Sequence, residues 1–343
     1  MDFNTNLPDN PYWKTLKPIW KNPRCVYVNK ERVENIASKL SREKFETPSW
    51  EEPIFPKNPV DFMKFILLAN AINFCFTDPE TKIKFQINYG GVLWRGSMAM
   101  AACLKRALDA GKPLFSADWL ANLTINEVKN IFWNDPSKNE TALPLLDKRL
   151  AILREVGEVL EKHFGGSFLT IYEISGFRAF NNDNGLVELL IKYFPSFRDE
   201  RLLSIDGGAG LLLEFEKRAQ LLAMVYQGRM MSDFRRPTPL LKDAGDLGPI
   251  ADCAVPAALE DMGILIYSQS LKKKITAGEI IPANSREEIE IRAQTVHAML
   301  KLLQEINMIY PGRKINMLEL DYMIWKLGRG ISTPRHLTPT TAY

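Results

Sequence analysis

Three ionisable side chains stand where the hydrophobic pattern offers no polar face to receive them. Lys217 lies in Leu211–Gln227, a run that reads as one helix, apolar nearly all round, with Leu213 and Leu221 four residues to either side and Met224 beyond. A lysine there either snorkels its ammonium to water or holds it facing a pocket, desolvated or paired with a phosphate. Asp252 sits in Gly248-Pro-Ile-Ala-Asp252-Cys-Ala-Val-Pro256, where a small-residue loop enters a helix that carries proline in its opening turn. As a helix cap it contributes about 1 kcal/mol. The same helix N-terminus keeps a carboxylate ionised, and an ionised carboxylate is what stabilises an oxocarbenium-like sugar. Asp321 shares a helix face with Met317, Leu318, Ile324 and Trp325, and a carboxylate on such a face needs a partner. That partner is either a structural arginine such as Arg292 or the donor edge of a bound purine-like base, with Trp325 or Tyr322 stacked alongside. Spacing leaves each pair of readings open.

Other chemistries find no support. The three histidines, His163, His297 and His336, fall in separate segments. They form no His-x-x-x-His pair and have no neighbouring cysteine or carboxylate at ligand spacing, so no metal is expected and each reads as a surface or capping residue. There is no Gly-x-Ser-x-Gly elbow or Walker-type loop, and Gly207-Gly208-Ala209-Gly210 reads as a turn. Four scattered cysteines in 343 residues, without a Cys-x-x-Cys pair, suggest reduced thiols in cytosol rather than zinc or disulfides. The first twenty residues lack a leader's apolar stretch, and no run is long enough to span a membrane. A formal charge of +3 is too small to predict a sequence-independent grip on DNA or RNA, and nothing demands a dimer, so a cytoplasmic monomer is expected.

Positioning such residues calls for a mainly α fold with one small antiparallel β-hairpin. Residues 1–57, rich in proline, tryptophan and charge, read as an N-terminal strap with a helix near Arg32–Leu40. Residues 58–343 read as a helical body in two lobes. Asn58-Pro59 announces a helix running to about Asn73. In Lys82–Ser97, Ile83, Phe85, Ile87 and Tyr89 alternate with polar residues before Gly90-Gly91, a hairpin pattern. Thr124-Ile-Asn-Glu127 and Ser285-Arg-Glu-Glu288 match the capping box. Leu146, Leu150, Leu153, Leu160 and Phe164 form a stripe stopped by Gly165-Gly166, and Ile289, Ala293, Val296, Leu300 and Leu303 form another. The pattern holds about ten helices and no fixed-period repeat. The chief loops are Asn134–Glu140, Gly176–Gly185, Arg201–Gly210 and Met230–Gly248, the last, with Arg235-Arg236-Pro237, long enough for a lid.

From about Ala71 to Arg329 the chain resembles the queuosine salvage family, the queuosine 5′-phosphate N-glycosylases. The resemblance is carried, in shared order, by Asn73-Phe-Cys-Phe76, Arg106-Ala-Leu-Asp109-Ala-Gly-Lys-Pro113, Phe164-Gly-Gly-Ser-Phe168, Phe194-Pro-Ser-Phe-Arg-Asp199, Lys217-Arg-Ala-Gln220, the Ala251-Asp252 loop, Glu288-Ile-Glu-Ile-Arg292 and Leu320-Asp321-Tyr322. It implies a fold similar to helix-hairpin-helix DNA glycosylases, hydrolysis of queuosine 5′-phosphate to free queuine, and no cofactor. It further implies that Asp252 is the essential carboxylate beneath the ribose and that Lys217 binds the 5′-phosphate or positions Asp252, with Arg218 a weaker phosphate candidate. Asp321 would read the amino-pyrimidine edge of the base, and Phe76, Tyr322 and Trp325 would wall the pocket. The family pattern has a phenylalanine before the Ala-Asp pair, an aromatic-arginine pair after it and a histidine shortly after Trp50. This chain has Ile250, Cys253-Ala254, and Ile54 with Phe55 there. Two other classes fit the same residues. A DNA or RNA base glycosylase would bind with steep salt dependence, and a non-catalytic nucleoside-binding protein would turn nothing over.

Overall fold

A computed structural model describes residues 9–203, 210–233, 238–309, 312 and 314–343. The fold is mainly α, with fourteen α-helices among the described residues, more than the pattern suggested. Several, such as Lys17–Lys21, Ala117–Ala121 and Thr170–Ile174, are five residues long, too short to show a period. The expected hairpin pairs Gln86–Tyr89 with Val92–Arg95. Gly90 and Gly91, at φ 61° and 77°, close it in a conformation that favours residues without a Cβ. Two further antiparallel pairs join Val26–Val28 to Leu265–Tyr267 and Glu200–Leu203 to Leu211–Glu214.

The last pair corrects two readings. Arg201 to Leu203 is strand rather than loop, and Leu211–Glu214 is strand rather than the first turn of a helix. A continuous run of leucines has no period to decide between the two states, and pairing with 200–203 decides it. The helix begins only at Lys217, after Glu216 at φ 49° has broken the chain direction, and it continues to Ser232. The Gly207–Ala209 turn and Arg235-Arg236-Pro237 lie outside the described residues.

The chain packs as two compact units. The first comprises Met1–Pro48, Asp199–Gln220 and Asp243–Pro339. Its core surrounds the helix Arg286–Ile309, whose predicted stripe Ile289, Ala293, Val296, Leu300 and Leu303 is buried, along with Trp13, Leu16, Ile19, Val33, Leu259 and Ile324. The Trp20 Nε1–H donates to the Ala293 carbonyl at 2.8 Å. At the start of this helix the expected capping box is half formed. Ser285 Oγ accepts the Glu288 N–H at 3.2 Å, but the wholly buried Glu288 turns its carboxylate to the Asn284 N–H and to Arg292, 3.6 Å away. A buried carboxylate takes the strongest partner within reach.

The second unit comprises Ser49–Arg198, Leu221–Lys242 and Thr340–Tyr343. Here the expected signals operate as read. Asn58 accepts the N–H groups of Val60 and Asp61 at the head of Pro59–Ala71. The Thr124/Glu127 box opens Ile125–Ile131, and Gly165 at φ 59° ends Leu146–Phe164. No helix among the described residues is long and apolar enough to cross a membrane.

In the first unit the helices Ala254–Asp261 and Met317–Gly330 touch through Gly328, where a Cβ would lie 2.7 Å from the Ala254 carbonyl oxygen. Gly328→Ala should therefore cost about 1–3 kcal/mol through overpacking, despite a helix-propensity gain of up to about 1 kcal/mol. Gly330→Ala, with open space around it, should be near neutral. Urea unfolding of the two variants checks this.

Candidate active site

The first unit contains Lys217, Arg218, Ile250, Asp252, Asp321, Tyr322 and Trp325. Phe76 belongs to the second unit, where the Arg149 guanidinium lies over its ring at 5.6 Å and over Phe74 at 4.3 Å.

Lys217 opens its helix and is only 4% exposed, so its amine does not snorkel. Burial lowers its pKa to about 8, while the Asp252 carboxylate pulls it back up and Arg218 pushes it down. Arg218 is itself almost wholly buried. The Lys217 backbone N–H donates to Asp199 Oδ2 at 3.4 Å. Asp199 is buried and gripped from both sides: Arg292 Nη1 donates to its Oδ1 at 2.9 Å and Nη2 to its Oδ2 at 2.5 Å, with Arg201 3.2 Å away. Burial alone would raise the Asp199 carboxyl, but Arg292, then Arg201, hold it below its ordinary value. Arg292 also lies 4.0 Å above the Phe215 ring and donates from Nε to the Ala251 carbonyl at 3.2 Å. One guanidinium therefore fixes the segment before Lys217 and the residue before Asp252.

The loop ahead of Asp252 is held at every second residue. Gly248 N–H donates to Gln220 Oε1 at 2.9 Å, an oxygen that also accepts from Asn10 Nδ2 at 2.7 Å. Ile250 N–H donates to Asp321 Oδ1 at 2.8 Å. Asp252 Oδ1 then accepts from Ala254 and Val255 N–H at 2.7 and 3.0 Å, the capping role expected of it. Its Oδ2 takes no hydrogen bond among the described residues, which leaves that oxygen for a ligand.

Of the two partners weighed for Asp321, Arg292 is committed to Asp199, and the carboxyl takes the Ile250 N–H. Asp321 is 6% exposed. Burial pushes its pKa up to about 8; the Ile250 N–H and Lys217 oppose that, and the Asp252 charge reinforces it. On the same helix the half-buried Tyr322 and Trp325 stack, ring centroids 6.0 Å apart and 26° between planes. The site thus couples a buried ammonium, a half-open carboxylate and a proton-holding carboxyl beside an aromatic wall. That set can stabilise a developing cation and recognise a flat heterocycle.

The histidines correct an expectation. His163 is exposed in a last helical turn, but His336 is buried at 5% exposure and His297 stacks on Trp20 at 5.0 Å. Sequence reasoning also missed the Asp199–Arg292 clamp and the Gln220 anchor. Arg292 carried a signal, since it falls on the buried stripe three residues after Ile289 and four before Val296, where a cation must have a buried partner. Nothing comparable marked Asp199.

Asp199→Asn should cost about 3 kcal/mol, the low end for breaking a buried ion pair, because Glu288, 3.6 Å away, still faces Arg292; denaturant unfolding reads this. For Asp321 the folded carboxyl holds its proton up to about pH 8 while the unfolded one releases it near 3.8. The native state then binds more protons across that window, so its stabilising share is complete below 3.8 and is lost as pH rises to about 8. Asp321→Asn should flatten that part of the stability–pH curve, which unfolding at stepped pH measures.

The sequence pattern of the queuosine salvage protein family matches residues 54–341. A Sphaerobacter thermophilus protein named queuosine 5′-phosphate N-glycosylase/hydrolase is 32% identical over 337 residues, 96% of each chain. Proteins of the same name from Bos taurus and Dictyostelium discoideum are 29% identical over 335 residues, 92% of each chain, and 32% identical over 287 residues, 82% of this chain and 78% of the other. With a family match over most of its length and a relative 32% identical across 96% of it, this chain belongs to the queuosine salvage protein family.

Proposed function

We propose that this protein hydrolyses the N-glycosidic bond of queuosine 5′-phosphate and releases queuine for salvage into tRNA modification. The observation that carries the reading is the mutual electrostatic reach of Lys217, Asp252 and Asp321 around one anchored loop. In the reaction the C1′–N bond breaks with its electron pair leaving on the base. Water forms the new C1′–O bond, and its proton balances the charge on the departing base. Queuine has carbon where guanine has N7, so protonation of that ring nitrogen cannot assist departure, and more of the barrier must be lowered on the sugar side. Asp252, fixed through Oδ1, offers Oδ2 to the cationic ribose or to the attacking water.

Lys217 serves as the ligand for the 5′-phosphate or as the charge that orients Asp252. Asp321 meets the amino-pyrimidine edge of the base, Tyr322 and Trp325 stack on it, Ile250 supplies an apolar wall, and Arg218 supports the phosphate end. A net charge of +3 suits a free nucleotide better than a strand, and the protein acts as a cytoplasmic monomer without a stable nucleic-acid partner.

Asp252→Asn keeps the capping oxygen but not the charge. Incubated with queuosine 5′-phosphate, the wild type should release free queuine, detected by mass spectrometry, and the variant should lose at least about a hundredfold in rate, the scale set by removal of one transition-state electrostatic partner. Equal rates would remove Asp252 from the mechanism, and no release by folded wild type would remove the reaction.

A further inference from the structure

Just ahead of Lys217 the chain assembles a second acidic group that the reaction does not use. Glu200 and Glu214 are directly opposed in the 200–203/211–214 hairpin, a like-charge pairing that destabilises a sheet unless something offsets it. Glu216 joins them from the residue before the helix, and one carboxylate oxygen from each of the three lies within 4.8 Å of the others. Glu216 is 0% exposed. Its Oε2 accepts the Asp199 N–H at 3.1 Å, whereas its Oε1 is buried with no hydrogen-bond partner among the described residues. A buried carboxylate oxygen left unmatched is costly, and the guanidiniums of this region, Arg201 and Arg292, are drawn to Asp199 and Glu288 instead. Glu200 is exposed and Glu214 half-buried, so the group opens to solvent on one side.

We propose that Glu200, Glu214 and Glu216 bind one hard divalent cation, with Ca²⁺ as the best match. The donors are all carboxylate oxygens, which excludes a preference for softer metals. Their spread suits an ion that takes oxygens at about 2.3–2.6 Å in a flexible shell and completes it with water. The ion offsets the Glu200/Glu214 repulsion and gives the Glu216 Oε1 its missing partner. It also pins the turn at Glu216, φ 49°, from which the Lys217 helix departs. Neither Asp252 nor Asp321 belongs to the group, and no step of the hydrolysis passes through it.

The test uses the full chain stripped with chelator and has readouts independent of activity: calorimetric titration with CaCl₂, and thermal unfolding with and without Ca²⁺. One saturable Ca²⁺ per chain is expected, with Tm raised by about 2–5 °C at tenfold over Kd. Glu200→Gln, at an exposed position, and Glu214→Gln should each weaken binding by about tenfold or more. No saturable binding up to about 10 mM, beyond the weakest natural Ca²⁺ sites, overturns the proposal. So does binding that neither variant changes, which would put the ion elsewhere. So does a wild type that ignores Ca²⁺ while Glu216→Gln raises its Tm, which would mean that a proton already fills the role.

Discussion

The buried pair between Arg292 and Asp199 is the constraint on which the site depends. Such a pair gains little net stability, because desolvating two charges costs about as much as their attraction returns. Its effect here is geometric. Asp199 receives the backbone N–H of Lys217, and its own N–H holds Glu216. Arg292 reaches the carbonyl of Ala251 and the face of Phe215. Residues 199, 217 and 251, distant in sequence, are therefore referred to a single guanidinium on the longest helix of the first unit. Because that guanidinium is planar with donors in a fixed fork, it sets orientation as well as distance, which an ammonium at the same place would not do.

Within that frame the surroundings of Lys217 and Asp321 push their proton affinities in opposite directions. Burial weakens the hold of Lys217 on its proton and strengthens that of Asp321, while Asp252 keeps one oxygen on a helix start and the other open. Titratable groups whose environments push their proton affinities apart take distinct roles in a site. Here the division suits a reaction whose leaving group gives little help and whose sugar must carry the charge. The pentapeptide Gly248 to Asp252 is as important as the side chains. Each of its anchors, Gln220, Asp321 and Arg292, comes from a different element, so the position of Asp252 reports the packing of the whole unit.

Much of this was legible in the sequence. Caps, a helix stop and the Gly90-Gly91 turn are local chemistry, and they appeared where Asn58, Thr124 and Gly165 predicted them. Lys217 and Asp321 were conspicuous because a charge on an apolar face must be accounted for, and Asp252 because it stands where a small-residue loop enters a helix. The failures share one cause, which is competition from partners that the local pattern does not show. Leu211–Glu214 has no intrinsic preference that separates strand from helix, and only pairing with 200–203 settles it. Glu288 leaves half of its capping box because Arg292 and Arg201 compete for its carboxylate. Arg292 could be seen to need a partner, but no spacing rule led to Asp199.

The most direct test of the central claim is a crystal structure of the Asp252→Asn variant holding queuosine 5′-phosphate. The account predicts the ribose C1′ about 3–4 Å from the residue 252 side chain, near-attack range, with the base edge at Asp321 and its face toward Tyr322 and Trp325. A nucleotide bound with its ribose away from residue 252, or with the Arg292–Asp199 pair broken in the complex, would contradict it.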